Sequence, residues 1–96
     1  MLTGKQKRFL RSEAHHLQPL FQIGKQGLTD SVIAQIEEAL EARELIKVNI
    51  LQNCAEDKNE IAQRLSEQEG LYVVQVIGNI LILYKESKEN KEIQLP

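Results

Sequence analysis

Apolar residues recur along this chain at two different spacings, and the change between them predicts an order of helices and strands. Spacings of three and four place side chains on one face of a helix. They occur in three segments: 3–17, 29–44 and a third that ends near Gly70. Short apolar runs, typical of strands, occur in four: 20–23, 45–51, 72–77 and 80–85. The predicted order is therefore α-β-α-β-α-β-β.

Residues that cap or stop helices support the first two helix assignments. Thr3 followed by Gln6 has the capping-box pattern of a helix start. Pro19 is expected to end the first helix, because the residue before proline disfavours helical geometry. Thr29 or Asp30 is a suitable N-cap for the second helix.

The order of the elements predicts an α/β fold with a mixed sheet of four strands and three helices. Strand–helix–strand units imply parallel pairing, whereas Gly78-Asn79 suits a type II′ hairpin between the last two strands. Both of those strands are apolar on both faces, so we expect the hairpin to be central or covered on two sides. Residues 1–85 form one compact domain in this interpretation, and the charged residues 86–96 form a flexible tail.

Composition places the chain among ordinary globular proteins. Its 96 residues are 42% hydrophobic and 27% charged, which suits a single domain with one core. The single cysteine, Cys54, excludes an internal disulfide and fits a reducing compartment. The N-terminus is charged where a signal peptide needs an apolar run, and the longest apolar run is far too short to span a membrane. We expect a cytoplasmic protein with no membrane partner.

The net charge of −2 conceals an uneven distribution. Residues 1–25 carry five basic residues and one acid, a charge of +4, whereas the remaining residues carry seven bases and thirteen acids, a charge of −6. On the first helix the bases Lys5, Arg8 and Arg11 are followed by His15 at spacings of three, three and four, and Glu13 lies outside this stripe. One basic face on an otherwise acidic domain indicates a polyanionic partner.

The segment Gly24-Lys25-Gln26-Gly27 lies between a predicted strand and a predicted helix. Glycines let the backbone approach a ligand closely, and the amides that begin a helix attract anions. The segment matches neither the P-loop nor the three-glycine dinucleotide motif. Two interpretations therefore remain open: a tight turn without a ligand, or a phosphate site completed by Lys25 and the amides near Leu28 and Thr29.

The sequence gives little support for catalysis, and we predict a protein that is not an enzyme, with no catalytic residue, metal site or cofactor. His15 and His16 are adjacent, which is not the spacing of a helical metal pair. Tyr72 and Tyr84 are interpreted as core or edge residues of strands, although exposed tyrosines stack bases in some RNA-binding proteins. One run of acids on the second helix is interpreted as a solvated face: Glu37, Glu38, Glu41 and Glu44.

Four sequence blocks, in order, resemble the CRM domain in its stand-alone, YhbY-like bacterial form. They are LTGKQKRFLR, LQPLFQIGKQGLTD, ALEARELIKV and YVVQVIGNILILYK, and they span about residues 2–85. The resemblance implies an RNA-binding domain similar in fold to the C-terminal domain of translation initiation factor three. It also implies association with ribosomal RNA in precursors of the large ribosomal subunit.

The resemblance assigns RNA contacts to the glycine loop and to the basic first helix. The predicted contacts are Gly24, Lys25, Gln26, Gly27, Lys5, Lys7, Arg8 and Arg11, with Lys47 as a neighbouring base. The isoelectric point near 5.7 is low for an RNA-binding module, which leaves room for a ribosomal or assembly-factor protein partner. The alternative function is a protein-interaction module that uses the apolar C-terminal hairpin surface, including Val74 and Ile82.

Overall fold

The computed structural model describes residues 1–96 and contains three helices and four strands in the predicted order. The helices are α1 (Gly4–Ala14), α2 (Asp30–Arg43) and α3 (Lys58–Ser66). The strands are β1 (Pro19–Ile23), β2 (Leu45–Ile50), β3 (Leu71–Ile77) and β4 (Ile80–Lys85). The predicted α-β-α-β-α-β-β fold is confirmed.

The four strands form one mixed sheet in the order β1-β2-β4-β3. β1 pairs with β2 in parallel, with α2 as the connection, and β4 pairs antiparallel with both β2 and β3. In the hairpin between β3 and β4, Gly78 has a φ of 56° and Asn79 does not share a positive φ, as the predicted type II′ turn requires. The last strand of the chain thus lies inside the sheet, and β1 and β3 form its edges.

Helices cover both faces of the sheet, and each face has its own hydrophobic cluster. On one face α2 and α3 pack through Ile36, Leu40 and other apolar residues onto a buried cluster that includes Val48 of β2. On the other face α1 packs through Leu10 and Ala14 onto a smaller cluster. The two-sided apolar pattern of the hairpin is therefore explained, because β4 contributes alternate side chains to the two clusters.

Helix α1 begins as predicted and ends earlier than predicted. Thr3 and Gln6 form the full capping box, with each side chain accepting the other residue's backbone N–H. The helix ends at Ala14 instead of Leu17, so Pro19 begins β1 and does not end the helix. The N–H groups that follow donate three residues back, Leu17 to Ala14 at 3.0 Å, and this tighter turn closes the helix well before the proline.

The acidic residues at the end of α2 are not all solvated, which corrects the sequence interpretation. Glu44 is only 1% exposed and has a φ of 66°, an unusual backbone geometry for a residue with a side chain. Its carboxylate accepts backbone N–H groups from three tail residues, Ser87, Glu92 and Ile93, at 2.7–2.9 Å. Burial of this carboxylate is possible because hydrogen bonds replace the lost water.

The C-terminal residues 86–96 form no helix or strand, but they contact the domain at several points. Glu41 accepts the backbone N–H groups of Lys88 and Glu89 at 2.9 and 3.0 Å. Ile93 and Leu95 pack against the cluster beneath α1. A mobile tail would have to break these contacts.

None of the three helices has the length and hydrophobicity that crossing a bilayer requires.

Candidate nucleic-acid interface

The glycine loop is a tight turn at the end of β1 that exposes its two central residues. The backbone N–H of Gly27 donates to the carbonyl of Gly24 at 3.0 Å, which closes a four-residue turn. Lys25 and Gln26 occupy the central positions, and both side chains are exposed. The Lys25 carbonyl accepts the Ala55 N–H at 3.3 Å, so the turn is also tied to the segment after β2. Such a turn presents two side chains to a partner while its backbone is held.

The two glycines have different structural roles. Gly27 is buried with a φ of 77°, and a Cβ there would lie 2.6 Å from Oε1 of Glu56. Gly24 has no positive φ, and a Cβ there would meet only Leu51 at an ordinary 3.8 Å. The fold therefore requires glycine at position 27, whereas nothing within the protein requires it at position 24.

A carboxylate from elsewhere in the chain occupies the start of α2. Glu56 accepts the backbone N–H of Leu28 at 2.7 Å and is paired with Arg64, whose other nitrogen donates to the Leu28 carbonyl at 3.0 Å. The Arg64 side chain, followed by the Leu28 N–H, holds the pKa of Glu56 below its ordinary value. This three-residue clamp fixes the glycine loop against α3.

The clamp corrects one part of the predicted phosphate site. The sequence interpretation assigned a phosphate to the amides near Leu28 and Thr29. In the structure the Leu28 N–H is bound by Glu56, and the Thr29 N–H donates to the Gly27 carbonyl at 3.2 Å. These amides are engaged within the protein, and a carboxylate beside them repels phosphate. Lys25 is then the group in the loop that attracts a phosphate.

The predicted basic residues are free of acidic partners. The protein has three ion pairs, which join Arg64 to Glu56, Lys85 to Glu37 and Lys91 to Glu86. None of them involves the predicted RNA-binding bases Lys5, Lys7, Arg8, Arg11, Lys25 and Lys47. Four of the six are exposed and two, Arg11 and Lys47, are half-buried. Their charges are not neutralised within the fold, so they remain available to a polyanion.

The structure brings Arg11 and Lys47 together and places Lys25 apart from them. Arg11 and Lys47 line one recess between α1 and the sheet. Lys47 pairs with Pro19 at the start of β1, whereas the loop follows Ile23, which pairs with Ile50. Three residues along β2 cover about 10 Å. The six bases therefore do not converge on a single point.

Lys5, Lys7 and Arg8 lie on the first two turns of α1. From Lys5 to Arg11 the helix rises about 9 Å. These positions suit contacts with successive phosphates of an extended chain better than a pocket for one small anion. The recess that contains Arg11 has a volume of about 280 Å³, below the range of typical small-molecule sites.

The residues named for a protein-binding hairpin surface are largely inaccessible. Val74 is 6% exposed and Ile82 is 2% exposed, because both lie beneath α1. Ile77, at 51%, is the large apolar side chain of the hairpin that faces solvent. A partner docking on the hairpin would therefore have to use its tip.

The remaining reactive side chains form no recognisable catalytic group. Tyr84 is buried in the cluster beneath α1, and burial followed by the charge of Glu44 raises its pKa. Tyr72 is half-buried on the edge strand β3 and packs against the same cluster, so one tyrosine is a core residue and the other an edge residue. Cys54 is half-buried, and no group of three or more His, Cys, Asp or Glu side chains is arranged to hold a metal.

Several residues that shape this surface were missed by the sequence interpretation. Glu56 and Arg64 reach Leu28 across 28 and 36 residues of sequence, and no local pattern indicates such a pairing. Gln75 enters the recess only because β3 is irregular there. His15, by contrast, could be recognised from the sequence, because it continues the basic stripe of α1 at a helical spacing.

Comparison with known proteins relates the whole domain to one family. Residues 2–85 match the family model described as the CRS1 / YhbY (CRM) domain. This is the span over which the four sequence blocks indicate a resemblance. The match includes the glycine loop, all of α1 and the hairpin.

Individual relatives extend over the full chain. A Bacillus subtilis protein named as a probable RNA-binding protein, YqeI, is 67% identical over 96 residues, which is 100% of each chain. An RNA-binding protein from Haemophilus influenzae is 46% identical over 99% of this chain and 95% of its own. A solution structure from Staphylococcus aureus, described as a hypothetical protein and candidate RNA-binding protein, is 59% identical with a TM-score of 0.81 and covers 100% of both chains.

Proposed function

The chain belongs to the CRS1 / YhbY (CRM) domain family, and we propose that it is a non-enzymatic RNA-binding protein that acts in ribosome assembly. Relatives that match it over nearly their whole length are named as RNA-binding proteins. RNA binding is thus the function that the chain's own chemistry and its relatives support together.

One observation carries the proposal: six basic side chains, four of them on α1, have no acidic partner. An ordinary solvated helix face carries both acids and bases, which can pair with one another. In this protein every ion pair involves other residues than these six bases. Binding RNA neutralises such bases and releases counterions from the phosphates. RNA binding is the simplest explanation for basic side chains without ion pairs on an acidic protein.

In the proposed complex the glycine loop and α1 hold the RNA backbone. Lys25 binds a phosphate. Gly24 has no side chain, so it lets the RNA backbone approach the turn, although the fold itself does not require glycine there. Gln26 lies beside Lys25 and is exposed enough to donate a hydrogen bond. Lys5, Lys7, Arg8 and Arg11, with Lys47, bind neighbouring phosphates.

The ribosomal part of the proposal follows from the family resemblance and implies action in the cytoplasm. Crosslinking in a cell lysate, followed by sequencing of the attached RNA, tests it directly. We expect large-subunit ribosomal RNA or its precursors to be enriched over a crosslinked control protein of similar size. Recovery of other RNA alone would keep RNA binding and reject the ribosomal assignment.

The role of Lys25 is tested by the salt dependence of binding. Lys25→Ala removes one phosphate contact, so the slope of log affinity against log salt should fall by about one unit with every RNA tested. Gln63→Ala, an exposed change on α3, is the control. An unchanged slope and affinity for Lys25→Ala would remove this residue from the interface.

A further inference from the structure

A recess lies where α1 ends over the uncovered part of the sheet. Its rim is formed by Arg11 and His15 from α1, Lys47 from β2, and Gln75 and Ile77 from β3. Arg11 and His15 are four residues apart, so their side chains lie on the same side of the helix end. The floor is apolar, because Ala14 and Ile82 are buried there.

The chemistry of this recess differs from that of the other main surface cavities. Those four are lined by at least one carboxylate each, such as Glu41, Glu56, Glu38 and Glu86. No carboxylate lines the recess at α1, whose charged groups are Arg11 and Lys47. Neither of these bases takes part in an ion pair. The recess therefore favours an anionic ligand.

The other side chains of the recess add features that a bare phosphate does not need. The imidazole of His15 is a planar group of the kind on which unpaired bases stack in RNA-binding proteins. Ile77 adds an apolar surface that is 51% exposed to solvent. The Gln75 amide both donates and accepts hydrogen bonds, as the edge of a base requires.

An irregularity in β3 directs Gln75 into this recess. Val73 pairs with Leu83 and Gln75 pairs with Ile82, so two residues of β3 span one step of β4. Val74 packs into the cluster beneath α1, and Gln75 lines the recess on the same face. In a regular strand these neighbours would point to opposite faces. Bulges of this kind re-aim side chains next to binding sites.

We propose that this recess binds a single unpaired nucleotide of the RNA, with Arg11 and Lys47 on its phosphate and His15, Gln75 and Ile77 on its base. The inference rests on the proposed RNA-binding function and makes it more specific. The recess has a volume of about 280 Å³, which suits one nucleotide of a longer chain. Bases in a duplex are stacked and paired, so the recess selects single-stranded or bulged RNA.

Two adjacent histidines provide a matched experiment. His15 lines the recess, whereas His16 is exposed and does not. Binding is measured at pH 8 by fluorescence anisotropy, with one single-stranded RNA and one duplex of the same composition. Loss of a stacked base lowers affinity about tenfold, so His15→Ala should weaken single-strand binding by about that factor. The same variant should leave duplex binding and the salt slope unchanged.

Two further variants complete the test. His16→Ala should match the unsubstituted protein with both RNAs, and His15→Phe should retain single-strand affinity because its ring also stacks. Addition of the single-stranded RNA should shift the side-chain amide signals of Gln75 in NMR spectra.

The outcomes separate this inference from the proposed function. Equal losses for His15→Ala with single-stranded and duplex RNA, or equal behaviour of the two alanine variants, would overturn the nucleotide recess. Weakened binding by Lys25→Ala in the same assay would then leave the RNA-binding function standing. Failure of the unsubstituted protein to bind either RNA would reject the function and the recess together.

Discussion

The basic surface of α1 and the acidic region around the end of α2 use their charges in opposite ways. The six bases predicted to bind RNA make no ion pair within the protein. By contrast, Glu41 and Glu44 accept backbone N–H groups of the C-terminal segment, and Glu56 holds the start of α2. These acids are engaged within the fold, whereas the six bases are not. Net charge alone therefore does not reveal which charged groups of a small domain are free of partners.

The acidic side has a physical reason for being engaged. The segment after β4 forms no strand, so its backbone N–H groups need acceptors from outside regular secondary structure. Carboxylates on α2 provide them, and hydrogen bonds to ionised acceptors are stronger than neutral ones. An isoelectric point near 5.7 therefore reflects structural acids as well as solvated ones. It does not argue against a nucleic-acid-binding surface formed by the bases that have no acidic partner.

The largest effect expected on the acidic side is from Glu44→Ala. The change removes a buried carboxylate and leaves the N–H groups of Ser87, Glu92 and Ile93 without their acceptor. We expect the free energy of unfolding to fall by about 3 kcal/mol, measured by urea unfolding. The salt slope of RNA binding should stay unchanged where the variant remains folded.

Glu38→Ala is the matched control for this prediction. Glu38 lies on the same helix, is exposed and forms no ion pair. Its replacement should change stability by no more than about 0.5 kcal/mol. Equal stabilities of the two variants would show that the tail contacts contribute nothing, and would support the predicted flexible tail over the docked one.

The two loop glycines should separate stability from binding. Gly27→Ala places a Cβ at positive φ and against Glu56, so we expect a loss of about 2 kcal/mol in urea unfolding. Gly24→Ala meets only ordinary contacts, so its stability should stay within about 0.5 kcal/mol of the original. RNA affinity of Gly24→Ala should nevertheless fall, because the added methyl group would lie where we propose that the RNA backbone approaches.

The contrary results are equally informative. Full RNA affinity in Gly24→Ala would contradict a close approach of the RNA backbone at the first glycine. Undiminished stability in Gly27→Ala would mean that Glu56 moves aside without cost, and the clamp at Leu28 would then be of little importance.

Much of the fold could be predicted because it follows from local patterns. The capping box at Thr3, the N-cap at Thr29 and the glycine-first hairpin at Gly78 all depend on residues within four positions of one another. The end of α1 could not be predicted in this way. Pro19 forbids helix only at its neighbour, whereas the helix ends at Ala14 in a tighter turn that the Leu17 N–H closes.

The candidate site could be predicted only as a list of residues. Sequence spacing identified the stripe on α1 and the exposed turn at Lys25. It did not indicate that Glu56 would occupy the Leu28 amide, or that a bulge would turn Gln75 toward Arg11. Those features depend on strand register and on pairings distant in sequence, which a single chain does not encode in any short motif.

The smallest expected effect concerns acid pH and again involves the acidic side alone. Hydrogen bonds from the Lys88 backbone, the Ser87 hydroxyl and the Glu89 backbone lower the pKa of Glu41 from 4.5 to about 2. The pKa of Glu44 is also lowered: burial raises it, but the N–H groups of the tail outweigh that effect. A folded-state pKa below the unfolded value gives stability that is present above about pH 4.5 and lost as the pH falls toward 2.

Glu41→Gln tests this origin of the acid limb. The glutamine cannot titrate, so the variant should be less stable than the original at pH 6 but should lose less stability on acidification. The free energy of unfolding is measured with urea at pH 6, 4 and 3. Lys25→Ala should follow the original profile, because Lys25 forms no ion pair with an acid. A profile for Glu41→Gln as steep as the original would assign the acid sensitivity to other carboxylates, with Glu56 the next to examine, since its pKa is also lowered. A Lys25→Ala profile that departed from the original would instead show that the basic side is coupled to the fold.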